Sequence, residues 1–331
     1  MKEPTYRDAL KAGYDLAWHH KSLWLFGLFA AFLGQMGFVE LIAKITRGVA
    51  TTSSSSALVY MWNLLSVLKP SAIAEQLEMS VDKWVWLLWL VVIFAGFALM
   101  LLFISVVSQG AIVHSTARYI DKKGKKFEDA DVSWHASRVH FWRLLVLNIL
   151  RKVLTISFVI FATWGMYNAI IFPRVGDILL FLLLFLLATV MGMILSFLLV
   201  YAVGYVVVEN QKLIPALQNA WRMFTDHWFV SLEIGFIMIV LNVLALALVI
   251  FGLYVFFLPS LFMWTIAVVF HSQALFMAGV IVGFILFALY MALIASMFTV
   301  FTTATWTYLF TKMHKKGVVS RLVHLFHGSN K

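Results

Sequence analysis

The chain has 331 residues, of which 63% are hydrophobic and only 12% are charged, and its formal net charge is +10. A soluble domain is roughly half apolar and a quarter charged, so this composition excludes an ordinary soluble protein and indicates a membrane protein. The basic residues lie mostly between apolar runs, which favours contacts with a membrane surface over nucleic-acid binding. Because the sequence has no cysteine, disulfides and thiolate metal sites are excluded.

Six apolar stretches are long enough to cross a bilayer, which takes about 20 residues. The first follows a polar segment with acids as well as bases, so we expect it to be retained and not cleaved as a signal peptide. The sequence therefore predicts an all-α, polytopic helical membrane protein with about six transmembrane helices. The predicted spans are Ser22–Ile42, Trp84–Val113, Leu144–Phe172, Ile178–Val208, Phe229–Leu258 and Ala274–Phe310.

The basic residues are distributed unevenly over the connections between these spans. With the N-terminus in the cytoplasm, twenty of the 25 Lys and Arg residues lie on the cytoplasmic side. The positive-inside rule therefore predicts that both termini are cytoplasmic, in the cell (inner) membrane. The one long external segment, Lys44–Lys83, contains the apolar stretch Ala57–Leu68, which is too short to span and is expected to lie in the interface or on the bundle.

A polar and aromatic segment with helical periodicity precedes each span that leaves the cytoplasm. In the clearest copy, one face carries Ile214, Leu217, Trp221, Phe224 and Trp228, while charged residues lie on the rest of the helix. This pattern predicts an amphipathic cytoplasmic helix that lies in the membrane plane. Weaker copies precede the first and third spans.

The recurrence of this layout predicts a threefold internal repeat within a single membrane domain, 1–331. The alternative is that any cytoplasmic loop near the interface tends to be amphipathic and aromatic, without a true repeat. The predicted repeats are 1–113, 114–208 and 209–311, and they are followed by a basic cytoplasmic tail, 312–331.

Aromatic and basic residues of these segments are the candidate contacts with lipid. Tryptophan rings suit the headgroup region, and Lys and Arg attract anionic headgroups. Membrane lipids are thus the predicted partners, and the sequence leaves open whether a second copy or another membrane protein also binds. The candidate interfacial residues are Trp18, Lys21, Trp142, Arg143, Trp221, Arg222, Phe224 and Trp228.

Three polar residues near span ends form a second candidate site. An ionisable group inside a membrane is costly, so Arg151 and Glu233 are candidates for a functional role. We predict that they pair with each other, and that Asn148, about one turn before Arg151, shares the hydrogen bonding. The alternative is that the third span begins only at Val153, which leaves Arg151 among the headgroups.

No established catalytic or cofactor motif occurs. The sequence lacks a P-loop, a His-Glu-x-x-His pair and a Gly-x-Ser-x-Gly elbow, and its ten histidines are scattered without metal-ligand spacing. We therefore predict no catalytic residue, cofactor or metal. Gly27, Ala31 and Gly34 form a small-residue stripe in the first span, and this stripe favours close packing within the molecule over a dimer interface.

The repeated layout resembles a group of bacterial multi-pass membrane proteins that includes the membrane domain attached to some glycerophosphodiester phosphodiesterases. The resemblance implies an integral membrane role without a settled activity. These 331 residues hold no soluble catalytic domain, so phosphodiesterase activity is not expected. The resemblance rests on Ala216-Leu217, Trp221 and Trp228 before a span, on the opening from Ala9-Leu10 to Trp24, and on Thr307-Tyr308-Leu309-Phe310.

Three functions remain open on the sequence alone. The leading hypothesis is a non-enzymatic, lipid-associated or envelope-homeostasis component, because amphipathic segments recur and catalytic motifs are missing. The second is a small-solute transporter or channel, which internal repeats would suit, although none of the five prolines lies in the middle of a predicted span. The third is a membrane-embedded lipid enzyme, for which no paired acid and base is identified.

Overall fold

The computed structural model describes residues 5–33, 81–121, 130–171 and 175–316. Within these ranges the chain forms helices and short connections and contains no strand, which confirms the all-α class. The helices in chain order are α1 (Thr5–His19), α2 (Ser22–Ala31), α3 (Val81–Asp121), α4 (Ala130–Arg138), α5 (Phe141–Ile171), α6 (Val175–Val207), α7 (Leu213–Asp226), α8 (Trp228–Val269) and α9 (Gln273–Lys316).

Five of the described helices, α3, α5, α6, α8 and α9, are long and apolar enough to cross a membrane. They correspond to the second through sixth predicted spans. Helix α2 is also apolar but has only ten residues, and the rest of the first predicted span, after Leu33, lies outside the described residues. Most of the predicted external segment, Lys44–Lys83, lies outside them as well.

Several helices extend beyond the predicted spans. Helix α8 has 42 residues and is roughly 63 Å long at ~1.5 Å per residue, so it exceeds a hydrocarbon core of about 30 Å. It continues through Pro259, past the predicted end of the span at Leu258, since membrane helices tolerate proline where neighbouring groups satisfy the freed carbonyl. Helix α9 continues to Lys316, so the first residues of the predicted basic tail are helical.

The chain divides into two compact units. The first comprises residues 1–35, 104–148 and 197–331, and the second comprises residues 36–103 and 149–196. In the second unit, the α3 side chains from Val85 to Met100 are apolar and exposed, which suits contact with acyl chains. Helices α1 and α7 lie entirely in the first unit.

The core of the first unit lies where α1, α2, α3 and α9 meet. Its fully buried side chains include Leu16, Leu23, Ile112 and Val300, which come from four different helices. These contacts hold α1 on the bundle, because a helix of only 15 residues gets most of its stability from tertiary packing.

Two glycines set the distance between the first two helices and α9. A Cβ atom at Gly13 would collide with the side chain of Thr305, and one at Gly27 would collide with the backbone of Ser296. The Ser296 hydroxyl also donates a hydrogen bond to the carbonyl of Trp24. The prediction that Gly27 mediates packing within the molecule is thus confirmed, whereas Gly34 lies outside the described residues.

Candidate functional site

Helix α7 packs on the protein with one face and exposes large apolar side chains on another. Its small and flexible residues Ala216, Ala220 and Met223 are buried. Ile214 and Trp221 are 68% and 53% exposed, although both are large and hydrophobic. Because successive residues are about 100° apart around a helix, these two apolar side chains lie on one stripe, on the side of the helix that faces away from the buried residues. A helix with this arrangement can lie flat between a bundle and a membrane.

The third face of α7 is polar and borders an open cavity of about 570 Å³. Arg222 is exposed at this cavity, where its guanidinium group can donate several hydrogen bonds. The remaining walls combine leucine and tryptophan side chains with the amide of Gln218 and the hydroxyl of Thr225. The lining residues are Leu198, Leu217, Gln218, Trp221, Arg222 and Thr225.

Helix α1 shows the same division of faces. Ala9, Gly13 and Leu16 are buried at the same spacing as the three buried residues of α7. Tyr14 and Trp18 are exposed and stack with ring centroids 6.0 Å apart. Both helices therefore pack on the protein with one face and expose aromatic rings on the side that faces away from it.

The turn from α1 to α2 is fixed by an aromatic hydrogen bond. The Trp24 indole nitrogen donates to the Ala17 carbonyl at 2.6 Å, which joins the first turn of α2 to the last turn of α1. Nearby, the His20 ring lies edge-on to Tyr119 of α3, with centroids 5.6 Å apart. Burial lowers the pKa of His20, and Asp15 opposes that effect through its negative charge.

A second cavity, of about 480 Å³, opens where α1 meets the last turns of α3 and α9. Its lining is rich in ionisable groups: two carboxylates, two ammonium groups and two phenols. Such a concentration of charge is distinctive in a chain with only 12% charged residues. The lining residues are Asp8, Lys11, Ala12, Asp15, Tyr119, Ile120, Tyr308 and Lys312.

The two carboxylates at this cavity differ in the contacts that they make within the protein. Asp15 is engaged at both oxygens, because Tyr119 donates to Oδ2 at 2.9 Å and His19 Nδ1 lies 2.8 Å from Oδ1. Asp8, by contrast, forms no hydrogen bond or ion pair with the part of the chain that the structure describes, and the same holds for Lys11. Asp15 therefore links α1 to α3, and Asp8 can accept hydrogen bonds from a ligand.

The ammonium group of Lys312 lies over an aromatic ring. Its Nζ atom is 5.4 Å from the centroid of the Tyr308 ring, a cation–π contact that places the charge at the cavity. This contact uses the face of the ring and leaves the N–H donors of Lys312 for an anion.

The predicted interfacial residues fall into two groups. Trp18, Trp142, Trp228 and Lys21 are exposed, as a headgroup contact requires, and Trp142 is exposed by 73%. The two α7 residues Trp221 and Arg222 are exposed too and line the same cavity.

Arg143 and Phe224 make contacts within the protein. The Arg143 guanidinium donates to Asn210 Oδ1 at 3.0 Å and to the Gln211 carbonyl at 3.2 Å, so it fixes the connection between α6 and α7. Asn210 has a positive φ of 52°, which asparagine adopts more readily than most residues. Phe224 is half-buried and stacks on Phe197, with centroids 6.0 Å apart.

The structure gives Asn148 a hydrogen-bond partner in another helix. Its amide donates to Gln109 Oε1 of α3 at 2.7 Å and to its own helix at the Leu144 carbonyl, 2.9 Å away. Arg151 and Glu233 are both half-buried, and they belong to different compact units. Their pairing stays a prediction from the sequence.

The charged cavity could not be found from the sequence pattern. Asp8, Lys11 and Asp15 recur at helical spacing on α1, but nothing in the sequence links them to Tyr119 or Tyr308, more than a hundred residues away. Among residues 5–33, 81–121, 130–171 and 175–316, no three His, Asp or Glu side chains converge as metal ligands.

No protein-family model, curated protein or solved structure matches this chain. The resemblance to the membrane domain of phosphodiesterases thus stays a prediction from the sequence.

Proposed function

We propose that this chain is a non-enzymatic integral membrane protein whose in-plane helices bind membrane lipids, as a lipid-associated or envelope-homeostasis component. The observation that carries the proposal is the arrangement of α7. Ala216, Ala220 and Met223 are buried against the protein, apolar side chains are exposed on the side of the helix that faces away from them, and Arg222 lines the cavity together with Trp221. An acyl chain fits the apolar wall, and an anionic headgroup fits the guanidinium.

The proposal includes a topology in the cell (inner) membrane. Six spans, namely the predicted span Ser22–Ile42 and one in each of the five long helices, would put both termini on the same side of the membrane, and we assign that side to the cytoplasm. The twenty basic residues on that side support this orientation. Helices α1 and α7 then lie on the same membrane surface, and their matching buried positions support an internal repeat. The resemblance to the membrane domain of phosphodiesterases agrees with such a role.

The expected lipid class is anionic. Arg222 is the one charged residue among those that line the α7 cavity, so its positive charge favours phosphodiester headgroups without a compensating amine. Trp221 provides a ring that can be half hydrated at the headgroup level.

Lipid retention tests the proposal. The purified chain is reconstituted in nanodiscs that contain phosphatidylglycerol and phosphatidylcholine, and the bound lipid is identified by native mass spectrometry after release into detergent. We expect phosphatidylglycerol to be retained, and we expect Arg222→Gln to lower the retained amount severalfold. Arg138→Gln is the matched control, because Arg138 is also exposed but lies on α4, away from the cavity.

Two outcomes would count against the proposal. Retention of no lipid by the wild-type chain would remove the lipid-binding role. An equal loss in Arg222→Gln and Arg138→Gln would show that only the overall surface charge matters.

A further inference from the structure

The cavity between α1, α3 and α9 shares no lining residue with the α7 cavity. We propose that it binds a zwitterionic ligand with a primary ammonium and a phosphate group, which is the chemistry of phosphoethanolamine. A free phosphoethanolamine compound and a lipid headgroup both carry these groups. This inference does not depend on lipid binding at α7.

The charges at the cavity match the two ends of such a ligand. Asp15 is already engaged, so the groups left for binding are the carboxylate of Asp8 and the ammonium groups of Lys11 and Lys312. A ligand ammonium can donate to Asp8, while the two lysines attract a phosphate as point charges. Tyr308 also lines the cavity, and its hydroxyl is a further hydrogen-bond donor.

The presence of Asp8 distinguishes a zwitterion from a simple anion. A phosphate ester without an amine would bring negative charge to the cavity and leave Asp8 without a counter-charge. An amine alone would leave Lys11 and Lys312 without one. A ligand that carries both groups avoids the two penalties, because each charge that loses water gains a partner.

The cavity is suited to a small ligand by its size and by its fixed walls. Its volume of about 480 Å³ falls within the usual range of ligand sites, roughly 300–1,000 Å³. The hydrogen bond from Tyr119 to Asp15 joins α1 to α3, and the close approach at Gly13 joins α1 to α9. Walls held in this way lose little conformational entropy when a ligand binds.

Titration calorimetry of the full chain in detergent, at low ionic strength, tests the ligand chemistry. The probes are O-phosphoethanolamine, ethyl phosphate and phosphocholine. We expect saturable binding of O-phosphoethanolamine and about tenfold weaker binding of the other two. Ethyl phosphate lacks the ammonium group, and the quaternary nitrogen of phosphocholine has no N–H to donate to Asp8.

Variants of the cavity give a pattern that a general charge effect would not produce. Lys312→Gln should weaken both O-phosphoethanolamine and ethyl phosphate about tenfold. Asp8→Asn should weaken only O-phosphoethanolamine, so the discrimination between the two probes disappears. Lys212→Gln and Asp226→Asn change exposed charges outside the cavity and should leave both affinities unaltered.

Nanodiscs distinguish the two sources of the ligand. Retention of phosphatidylethanolamine by the wild-type chain, with loss in Asp8→Asn but not in Arg222→Gln, would identify a lipid headgroup. Binding of soluble O-phosphoethanolamine without such retention would identify a free compound.

The proposal is overturned if neither form binds, if ethyl phosphate binds as tightly as O-phosphoethanolamine, or if Asp8→Asn weakens both probes equally. Failure of the α7 proposal would instead affect only the Arg222→Gln comparison with phosphatidylglycerol.

Discussion

Gln109 and Asn148 are two amide side chains on apolar helices that bind each other. Both are more than 90% buried, and the bond between Asn148 Nδ2 and Gln109 Oε1 is 2.7 Å long. The sequence shows that each residue is unusual in its helix, but it does not show that they face each other. A buried amide without a partner would lose free energy, and this explains why the two helices join here.

We expect Gln109→Leu and Asn148→Leu each to lower the free energy of unfolding. Because each change also leaves the other amide without its partner, the double variant should lose less than the sum of the two. The coupling free energy should be about 0.5–1.5 kcal/mol, as for other hydrogen bonds between membrane helices. Unfolding in mixed micelles with increasing SDS provides the measurement.

Asn242→Leu is a suitable control for this cycle. The Asn242 amide donates to Met238 within its own helix, at 2.7 Å. The decrease in the free energy of unfolding caused by Asn242→Leu should therefore add to the decrease caused by Gln109→Leu, without a coupling free energy. Strict additivity between Gln109→Leu and Asn148→Leu would contradict the assigned contact.

Helix α4 and the start of α5 form an elbow that contains His140. We expect His140 to make the stability of this elbow dependent on pH. Burial lowers the pKa of His140, and the positive charges of Arg143 and His114 act in the same direction. The unfolded chain then binds more protons than the folded protein below the usual imidazole pKa of about 6.5. The contribution of neutral His140 to the free energy of unfolding is therefore fully present above that pH. It decreases as the pH falls below about 6.5, and it stops changing once His140 is protonated in the folded state as well.

We expect the thermal midpoint of the purified protein to fall between pH 7 and pH 5. In His140→Gln, which does not ionise, this fall should be smaller. His135→Gln is the matched control, since His135 is exposed on the same elbow and lies 3.4 Å from a carboxylate oxygen of Asp131. A pH dependence that is identical in wild type and His140→Gln would exclude the elbow as its source.

At the scale of single elements, the periodicity of α7 predicts its exposed face but not its buried face. The aromatic stripe that contains Trp221 was recognisable because large apolar residues recur at helical spacing. Ala216 and Ala220 are not large apolar residues, so the sequence pattern does not indicate that they are buried. These small residues nevertheless allow α7 to approach the protein closely. Phe224 belongs to the predicted stripe but stacks on Phe197, a contact that only the fold determines.

Probes at positions 221 and 222 test the orientation of α7. The chain has no native cysteine, so single cysteines can be introduced and labelled with a fluorophore. Brominated lipids should quench the probe at 221 more strongly than the probe at 222, and iodide in the water should show the opposite preference. The two positions are about 100° apart on the helix, so one faces the acyl chains and the other the aqueous side. Equal quenching at both positions would contradict an in-plane helix.

At the scale of the whole molecule, the class of protein was predictable and the charged cavity was not. Long apolar runs determine membrane helices because the backbone must satisfy its hydrogen bonds within each span. The cavity instead depends on three helices that are far apart in the sequence. Local periodicity does not indicate that Asp8 and Lys312 line the same cavity.

The proposed topology makes a definite prediction about which residues are accessible from each side of the membrane. Asp226 and Gln273 are exposed at opposite ends of α8, so a crossing by this helix places them on opposite sides. A membrane-impermeant maleimide added to intact cells should label single cysteines at 273 and 55, and it should label those at 226, 124 and 21 only after the cells are opened. Labelling of 226 and 273 from the same side would show that α8 does not cross.

Positions 21 and 55 together test the first predicted span, Ser22–Ile42, which brings the number of spans from five to six. Lys21 is exposed immediately before α2, and that helix has only ten residues, so its length does not establish a crossing. Opposite labelling of 21 and 55 requires the chain to cross the membrane between them. An odd number of crossings there, together with one for each of the five long helices, places both termini on the same side. Labelling of 21 and 55 from one side would leave five crossings, and the termini would then lie on opposite sides.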